Sequence, residues 1–328
     1  MVHSHIPRMV VIMAETGTLT TMKTTFTHDH DKVINKFSTQ TNDAWQTWLS
    51  LINTRCHFRY KVLGNNFEQH TNKCLEFAES HAKRTINIVN NHSIHSILEP
   101  GCSIGFNCFA LAKILPNTEI WGIDPDEEAI HLGKCIAKEL KLHNVHLQAG
   151  VGENITFNDN YFDLIISNTI IEHVNNVEQC ISEMGRVLKK DGKILLDAPN
   201  YIWPYEPHLE IIGIPMMGKL LLKICAILQG EYKHINYLNH LKFVNPFILE
   251  RIFRKYDLTW ENLVEGKIKA IISGDMEVIK SYKKIGAFLN KFGKYNKLCS
   301  PMVNFLIKTG FYPSVSYLLT KHHGMDYI

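Results

Sequence analysis

Apolar and polar positions follow two different rhythms along this chain. From about residue 31 to 91 the apolar positions fall at helical spacing. Trp45, Trp48, Leu49, Ile52 and Phe58 form one stripe, and Leu75, Phe77, Ala78, Ala82 and Ile86 another. These helices are expected to pack on the first strand, with Trp45, Trp48 or Tyr60 lining a substrate mouth as the alternative. From Ser96 onward, short apolar runs take over: Ser96–Leu98, Glu119–Ile123, Val145–Ala149, Tyr161–Asn168 and Lys193–Pro199. Helices are predicted over Phe109–Leu115, from Asp126 to about Leu140 and from about Val177 to Leu188. Strands alternating with helices in this way imply an α/β fold with a parallel, doubly wound sheet. Asp257–Val264 and Ser314–Lys321 read as two later strands.

With 328 residues and 45% hydrophobic content, the chain is long enough for one large core plus a cap. Its 35 basic and 32 acidic side chains leave a net charge of only +3 and no dense Lys/Arg stripe, so no nucleic-acid partner is expected. The eight cysteines form no C-x-x-C pair and read as reduced thiols, which points to a cytoplasmic protein. The apolar run Met9–Ala14 is too short for the core of a signal peptide. Residues 1–25 are expected to be a disordered tail, with Met22 an alternative start. The most apolar segment, Ile211–Leu228, is broken by Pro215, Lys219 and Lys223, so it does not read as a bilayer span. A cap over a pocket is the first reading of 211–228, and peripheral membrane contact is the second.

The candidate chemistry gathers on Ser96–Asn107, where an apolar run ends in Glu99 and passes through a small-residue loop, Gly101-Cys102-Ser103-Ile104-Gly105, into a helix. Glycines there let backbone approach a ligand, and the helix start offers unpaired N–H groups. Asp124, at the tip of the neighbouring strand, is placed to accept both hydroxyls of a ribose. A dinucleotide fingerprint would need glycine at 101, 103 and 106. The chain has Ser103 and Phe106, which disfavours pyrophosphate.

Acid-x-G-x-x-x-G instead resembles the first motif of the class I S-adenosylmethionine-dependent methyltransferases. Asp163–Val174, Glu183–Lys189 and Gly192–Leu196 extend the resemblance to the small-molecule branch, which includes quinone-, glycan- and natural-product-pathway enzymes. The match is strong over about 94–200 and weak over 235–321. It implies a Rossmann-like sheet of seven strands, mostly parallel, with the last strand antiparallel. The final strand pair would here be split by a helical insertion of roughly 45 residues. The implied layout is a helical N-terminal extension (26–92), then a methyltransferase domain (93–328) with helical caps at about 200–250 and 266–311. The implied cofactor is S-adenosylmethionine. Glu99, Gly101, Cys102, Ser103 and Gly105 would hold its methionine end, Asp124 the ribose, and Asn168 would sit beside the sulfonium. Gly152 and Glu153 would flank the adenine, with Ile123, Pro125 and Val151 as apolar contacts. The family typically has glycine at the position of Ser103 and often aspartate at that of Val151.

Methyl transfer asks the protein for alignment, exclusion of water and, for a hydroxyl acceptor, removal of a proton. Histidine suits the last task, and His173, His208 and His240 are the candidates, each with a purely structural backbone bond as its alternative. In quinone-pathway relatives an acid three positions before a Glu-His pair like Glu172-His173 helps hold a divalent metal. Here Thr169 stands there, and adjacent helical residues diverge by about 100°, so no metal site is expected. The expected activity is methylation of a small-molecule acceptor, on a hydroxyl oxygen of a sugar, lipid-linked or natural-product substrate. Nitrogen or carbon methylation, or cofactor binding without catalysis, are the rivals.

Overall fold

The computed structural model describes residues 36–55, 62–89, 93–214, 218–231, 235–266 and 296–321. The expected tail over 1–25, the residues Phe58 and Tyr60, and much of the second insertion lie outside them. The chain runs α1 (Thr39–Arg55), α2 (Phe67–Val89), β1 (Ser96–Pro100), α3 (Phe106–Ile114), β2 (Glu119–Asp124), α4 (Glu127–Glu139), β3 (Val145–Ala149), β4 (Phe162–Asn168), α5 (Val177–Val187) and β5 (Leu188–Pro199). It continues with β6 (Tyr205–Glu206), β7 (Ile211–Ile212), α6 (Lys219–Leu228), a 3-10 turn (Ile235–Asn239), α7 (Pro246–Lys255), β8 (Leu258–Asn262), α8 (Asn296–Thr309) and β9 (Ser314–Lys321).

Seven strands form one sheet in the order β3-β2-β1-β4-β5-β9-β8. The first five are parallel, while β9 runs antiparallel to both β5 and β8. β1 is buried at all five positions, as a central strand covered on both faces must be. Helix starts follow capping chemistry. Asp126 accepts the N–H groups of Glu128 and Ala129 at α4, and Asn176 accepts that of Gln179 at α5. Asn245, followed by Pro246 in the first turn, opens α7. Gly133 of α4 lies against the loop after β1, where a Cβ would stand 2.2 Å from the Ile104 carbonyl oxygen.

Four sequence expectations change. The N-terminal helices do not lie on β1; α1 packs on α4 and α2 on α3, a second helical layer outside the first. Trp45 and Trp48 are buried in that layer, at 3% and 1% exposure, and so are not mouth residues, while Phe77 is exposed. β5 begins at Leu188, ahead of the expected Lys193, and includes a register irregularity opposite Phe162 and Leu164. The segment after β5, expected as a helical cap, carries a small antiparallel hairpin, β6–β7. Around it a third apolar cluster (Leu209, Ile211, Leu222, Ala226, Tyr237, Leu238 and Leu241) makes a cap with a core of its own.

Candidate functional site

The loop after β1 owes its shape to three residues with left-handed backbone: Gly101 (φ 64°), Ser103 (φ 52°) and Gly105 (φ 97°). A side chain at such a φ is strained, which explains why glycine suits position 103. The N–H groups of Gly101 and Cys102 donate to the Ile123 carbonyl at 2.5 and 3.1 Å, clasping the loop to β2. Asp124 closes the clasp. Its Oδ2 accepts the Ser103 N–H at 2.8 Å and its Oδ1 the Asp126 N–H at 2.9 Å. Asp126, and not Asp124, is therefore the N-cap of α4. Its carboxyl is pushed up to about 6, by burial first, against the hydrogen bond from Ala129.

Glu99, at the tip of β1, is buried at 6% exposure. It accepts hydrogen bonds from Asn107 Nδ2 at 3.2 Å and the Cys108 thiol at 3.1 Å. A hydrogen bond with Cys102, burial and the Glu99 charge together hold that thiol well above its ordinary range, and so protonated. Sequence reasoning passed over His81 on α2. Its Nδ1 lies 3.2 Å from Asn107 Oδ1 and its Nε2 3.4 Å from Asn168 Nδ2. The outer helical layer thus reaches the carboxyl edge of β1 and β4 through one imidazole. The signal was faint: His81 flanks the buried face made by Ala78, Ala82 and Thr85.

After β3, Gly152, expected to flank the adenine, packs tightly on α5, where a Cβ would come 2.7 Å from Cys180 Sγ. Glu153 accepts the N–H groups of Asn175 and Asn176 at 2.6 and 3.3 Å, which commits its carboxylate to the turn before α5. Ile123, Pro125 and Val151 remain as the apolar residues near the β2 tip.

A second group assembles where the cap meets β4 and β5. Residues 171–175 form a turn, not a helix, so Glu172 and His173 are free of the helical divergence assumed from sequence. The Lys242 N–H donates to the Glu172 carbonyl at 2.7 Å, tying the cap to this turn. Glu172 Oε1 lies 3.7 Å from His173 Nε2 and 4.0 Å from His208 Nε2. The two imidazoles meet edge to face at 4.9 Å, with Tyr237 packed against both. His208 Nδ1 lies 2.5 Å from Glu206 Oε1, and Glu206 Oε2 accepts the Leu209 N–H at 2.7 Å. Burial opposes charge on His208, but the Glu206 hydrogen bond and the charges of Glu206 and Glu172 outweigh it, and the pKa is raised. Tyr201, stacked flat on Phe243 at 4.3 Å, completes the wall; burial, then the charges of Glu206 and Glu172, push its phenol well up. His240, half-buried, follows the 3-10 turn and donates its N–H to the Tyr237 carbonyl. The structure therefore brings His173 and His208 together, with His240 placed at the next turn.

Residues 91–241 match the family described as "Methyltransferase domain". This segment is a methyltransferase domain. The chain is 30% identical over 116 residues to the uncharacterized methyltransferase YcgJ of Bacillus subtilis, covering 35% of this chain and 44% of that protein. The sequence match therefore spans less than half of YcgJ's length. It is 27% identical over 206 residues to a demethylmenaquinone methyltransferase of Staphylococcus saprophyticus, covering 60% of this chain and 82% of the other. A crystal structure of YcgJ superposes with a TM-score of 0.45 at 20% identity, over 75% of this chain and all of that one. The sheet, whose strands β1–β5 lie in this segment, is Rossmann-like, mostly parallel with one antiparallel strand.

Proposed function

We propose that the methyltransferase domain binds S-adenosylmethionine at the carboxyl ends of β1, β2 and β4 and transfers its methyl group to a small-molecule acceptor under the cap. One observation carries this reading. Two strand-tip carboxylates, Glu99 and Asp124, flank the left-handed loop from Gly101 to Gly105. The set fits the cofactor chemically: Glu99 offers charge to an amino group, Asp124 offers acceptors to ribose hydroxyls, and Ile123, Pro125 and Val151 offer apolar surface to adenine. The Ser103 and Asp126 N–H groups fix the two oxygens of Asp124 at the tip of β2, where a ribose would lie. Asn168, held through His81, would stand at the sulfonium end.

When bound, the cofactor supplies a methyl group already activated on a positively charged sulfur. The chain aligns the acceptor, excludes water and handles the acceptor's proton. The Glu172–His173–His208 group is the proton-handling element. His173, with 13% of its side chain exposed against 1% for His208 and none for Glu172, meets the acceptor. A hydroxyl oxygen on an amphipathic acceptor suits the aromatic wall of Tyr201, Phe243 and Tyr237. The Staphylococcus relative named for demethylmenaquinone supports a small-molecule acceptor. Outward-facing Leu220, Leu221, Ile224, Ile227 and Leu228 on α6 support delivery from a lipid surface.

Calorimetry with S-adenosylmethionine and S-adenosylhomocysteine tests the cofactor. Asp124→Ala is expected to weaken binding by about 1.5–3 kcal/mol, roughly ten- to a hundredfold. Unchanged affinity would remove the ribose assignment, and no binding by the wild type would remove the reading. Incorporation of tritiated methyl into small molecules of a cell extract separates an enzyme from a binder.

A further inference from the structure

Glu172, His173 and His208 each offer one ligand atom, and the three atoms all lie within 4.8 Å of one another. The two edges from Glu172 Oε1 measure 3.7 and 4.0 Å. A four-coordinate ion with bonds of about 2.0–2.2 Å has edges of about 3.3–3.6 Å, so the two Glu172 edges need draw in by a few tenths of an ångström and the edge between the histidines by at most about 1.5 Å. We propose that Glu172, His173 and His208 bind one first-row divalent cation, which holds the acceptor's oxygen beside the methyl donor.

Three further features of the group fit a metal site. The first is orientation. His208 Nδ1 is held by Glu206, itself fixed by the Leu209 N–H, so Nε2 is the nitrogen presented to Glu172. A carboxylate behind a histidine, aiming the far nitrogen, is the usual support of a ligating imidazole. The second is burial. Glu172 and Glu206 are two acidic side chains at 0% and 2% exposure, and acidic groups taken so far from water call for a cation beside them. The third is access. His173 is the one partly open member, which leaves a side of the ion for an outside ligand.

Two imidazoles and one carboxylate suit zinc, cobalt, iron(II) or manganese better than calcium or magnesium, which favour all-oxygen shells. The third ligand is His208, contributed by the cap hairpin. The side chain of Thr169 is turned to its neighbour, with its hydroxyl donating to the Asn168 carbonyl at 2.8 Å. The cation's role deepens the methyl-transfer reading and rests on it, since the group would then handle the acceptor's proton through the ion it holds and not through a free imidazole; the binding itself does not rest on that reading. On coordination the acceptor O–H would release its proton to solvent. An oxygen lone pair then forms the C–O bond as the C–S bond breaks, leaving S-adenosylhomocysteine.

The test is titration of the full-length protein, stripped with chelator and freed of any affinity tag, with cobalt(II) chloride. Its visible ligand-field bands report nitrogen and oxygen ligation. One equivalent is expected to bind. His173→Ala and His208→Ala should each abolish the bands, and Glu206→Gln should weaken binding roughly ten- to a hundredfold. S-adenosylhomocysteine affinity on the same samples reports that each variant is folded. Where His208→Ala fails that check, His173→Gln decides: bands lost with affinity retained support the site, and bands retained overturn it. Bands missing from the wild type, or undiminished in the His173→Ala/His208→Ala double variant, overturn it as well. A wild type that binds cobalt but not S-adenosylhomocysteine overturns the cofactor reading alone.

Discussion

His70 shows how one buried side chain sets a pH limit on the fold. It is 1% exposed, in contact with the Trp45 and Phe106 rings, and its Nδ1 accepts the Leu63 N–H at 3.0 Å. An accepting nitrogen carries no proton, and burial lowers the pKa to about 4 from 6.5. Below 6.5 the unfolded chain takes up a proton that the folded chain refuses. Its contribution is therefore intact above that pH and lost as pH falls toward 4, up to about 3 kcal/mol. Denaturant titrations between pH 7 and 5 should show a steeper loss for wild type than for His70→Gln, and equal slopes would refute the assignment. At Gly133 the constraint is steric, because an added Cβ meets the Ile104 carbonyl and not a movable side chain. Gly133→Ala is expected to cost about 3 kcal/mol and to weaken S-adenosylhomocysteine binding, since Ile104 belongs to the loop proposed to hold the cofactor. Calorimetry and chemical unfolding check both effects together.

Among elements, α5 owes its position to Arg186. Its guanidinium forks onto Glu183, bonds Asp159, and donates to the carbonyls of Phe157 and Ile155 at 2.8 and 2.7 Å. Lysine has the charge but not the fork, so Arg186→Lys should lose about 1–2 kcal/mol, read as a lowered Tm. α6 presents the opposite case, with Leu222 and Ala226 turned inward and five aliphatic residues turned out. If that face meets lipid, the wild type co-sediments with anionic vesicles and Leu220→Glu/Leu228→Glu does not; absence of wild-type binding removes the membrane contact. The strands and helices between 96 and 199 were legible because a buried parallel strand is a bare apolar run, and β3 matches its predicted span Val145–Ala149 residue for residue. Three features were not legible. A helical stripe marks that α1 and α2 bury a face but not that the partners are α4 and α3. The strands of β6–β7, two residues each, are too short to leave a period. The turn at 171–175 has a helix-like sequence, and His208 joins Glu172 only through the fold of the cap, a contact across 36 positions that no local pattern encodes.

At the scale of the molecule, the sheet is closed from the far end of the described chain. β9 lies between β5 and β8, pairing with β5 from Lys193↔Thr320 to Pro199↔Ser314 and with β8 from Leu258↔Lys321 to Asn262↔Tyr317. Its five central positions are buried. Removing it leaves two unpaired edges and strips β8 from the sheet. A chain ending at residue 313 should therefore lack a cooperative thermal transition by circular dichroism; a sharp melt would contradict this. Asn200 links the two insertions. Its Nδ2 donates to the Gly310 and Tyr312 carbonyls, both at 2.7 Å, just as the backbone leaves β5 for the hairpin that carries His208. A chimera that took the cap from this protein without the segment around 310–312 would strand an amide in apolar surroundings. The two excursions from the sheet are thus a matched pair, and exchange between relatives has to move both or neither.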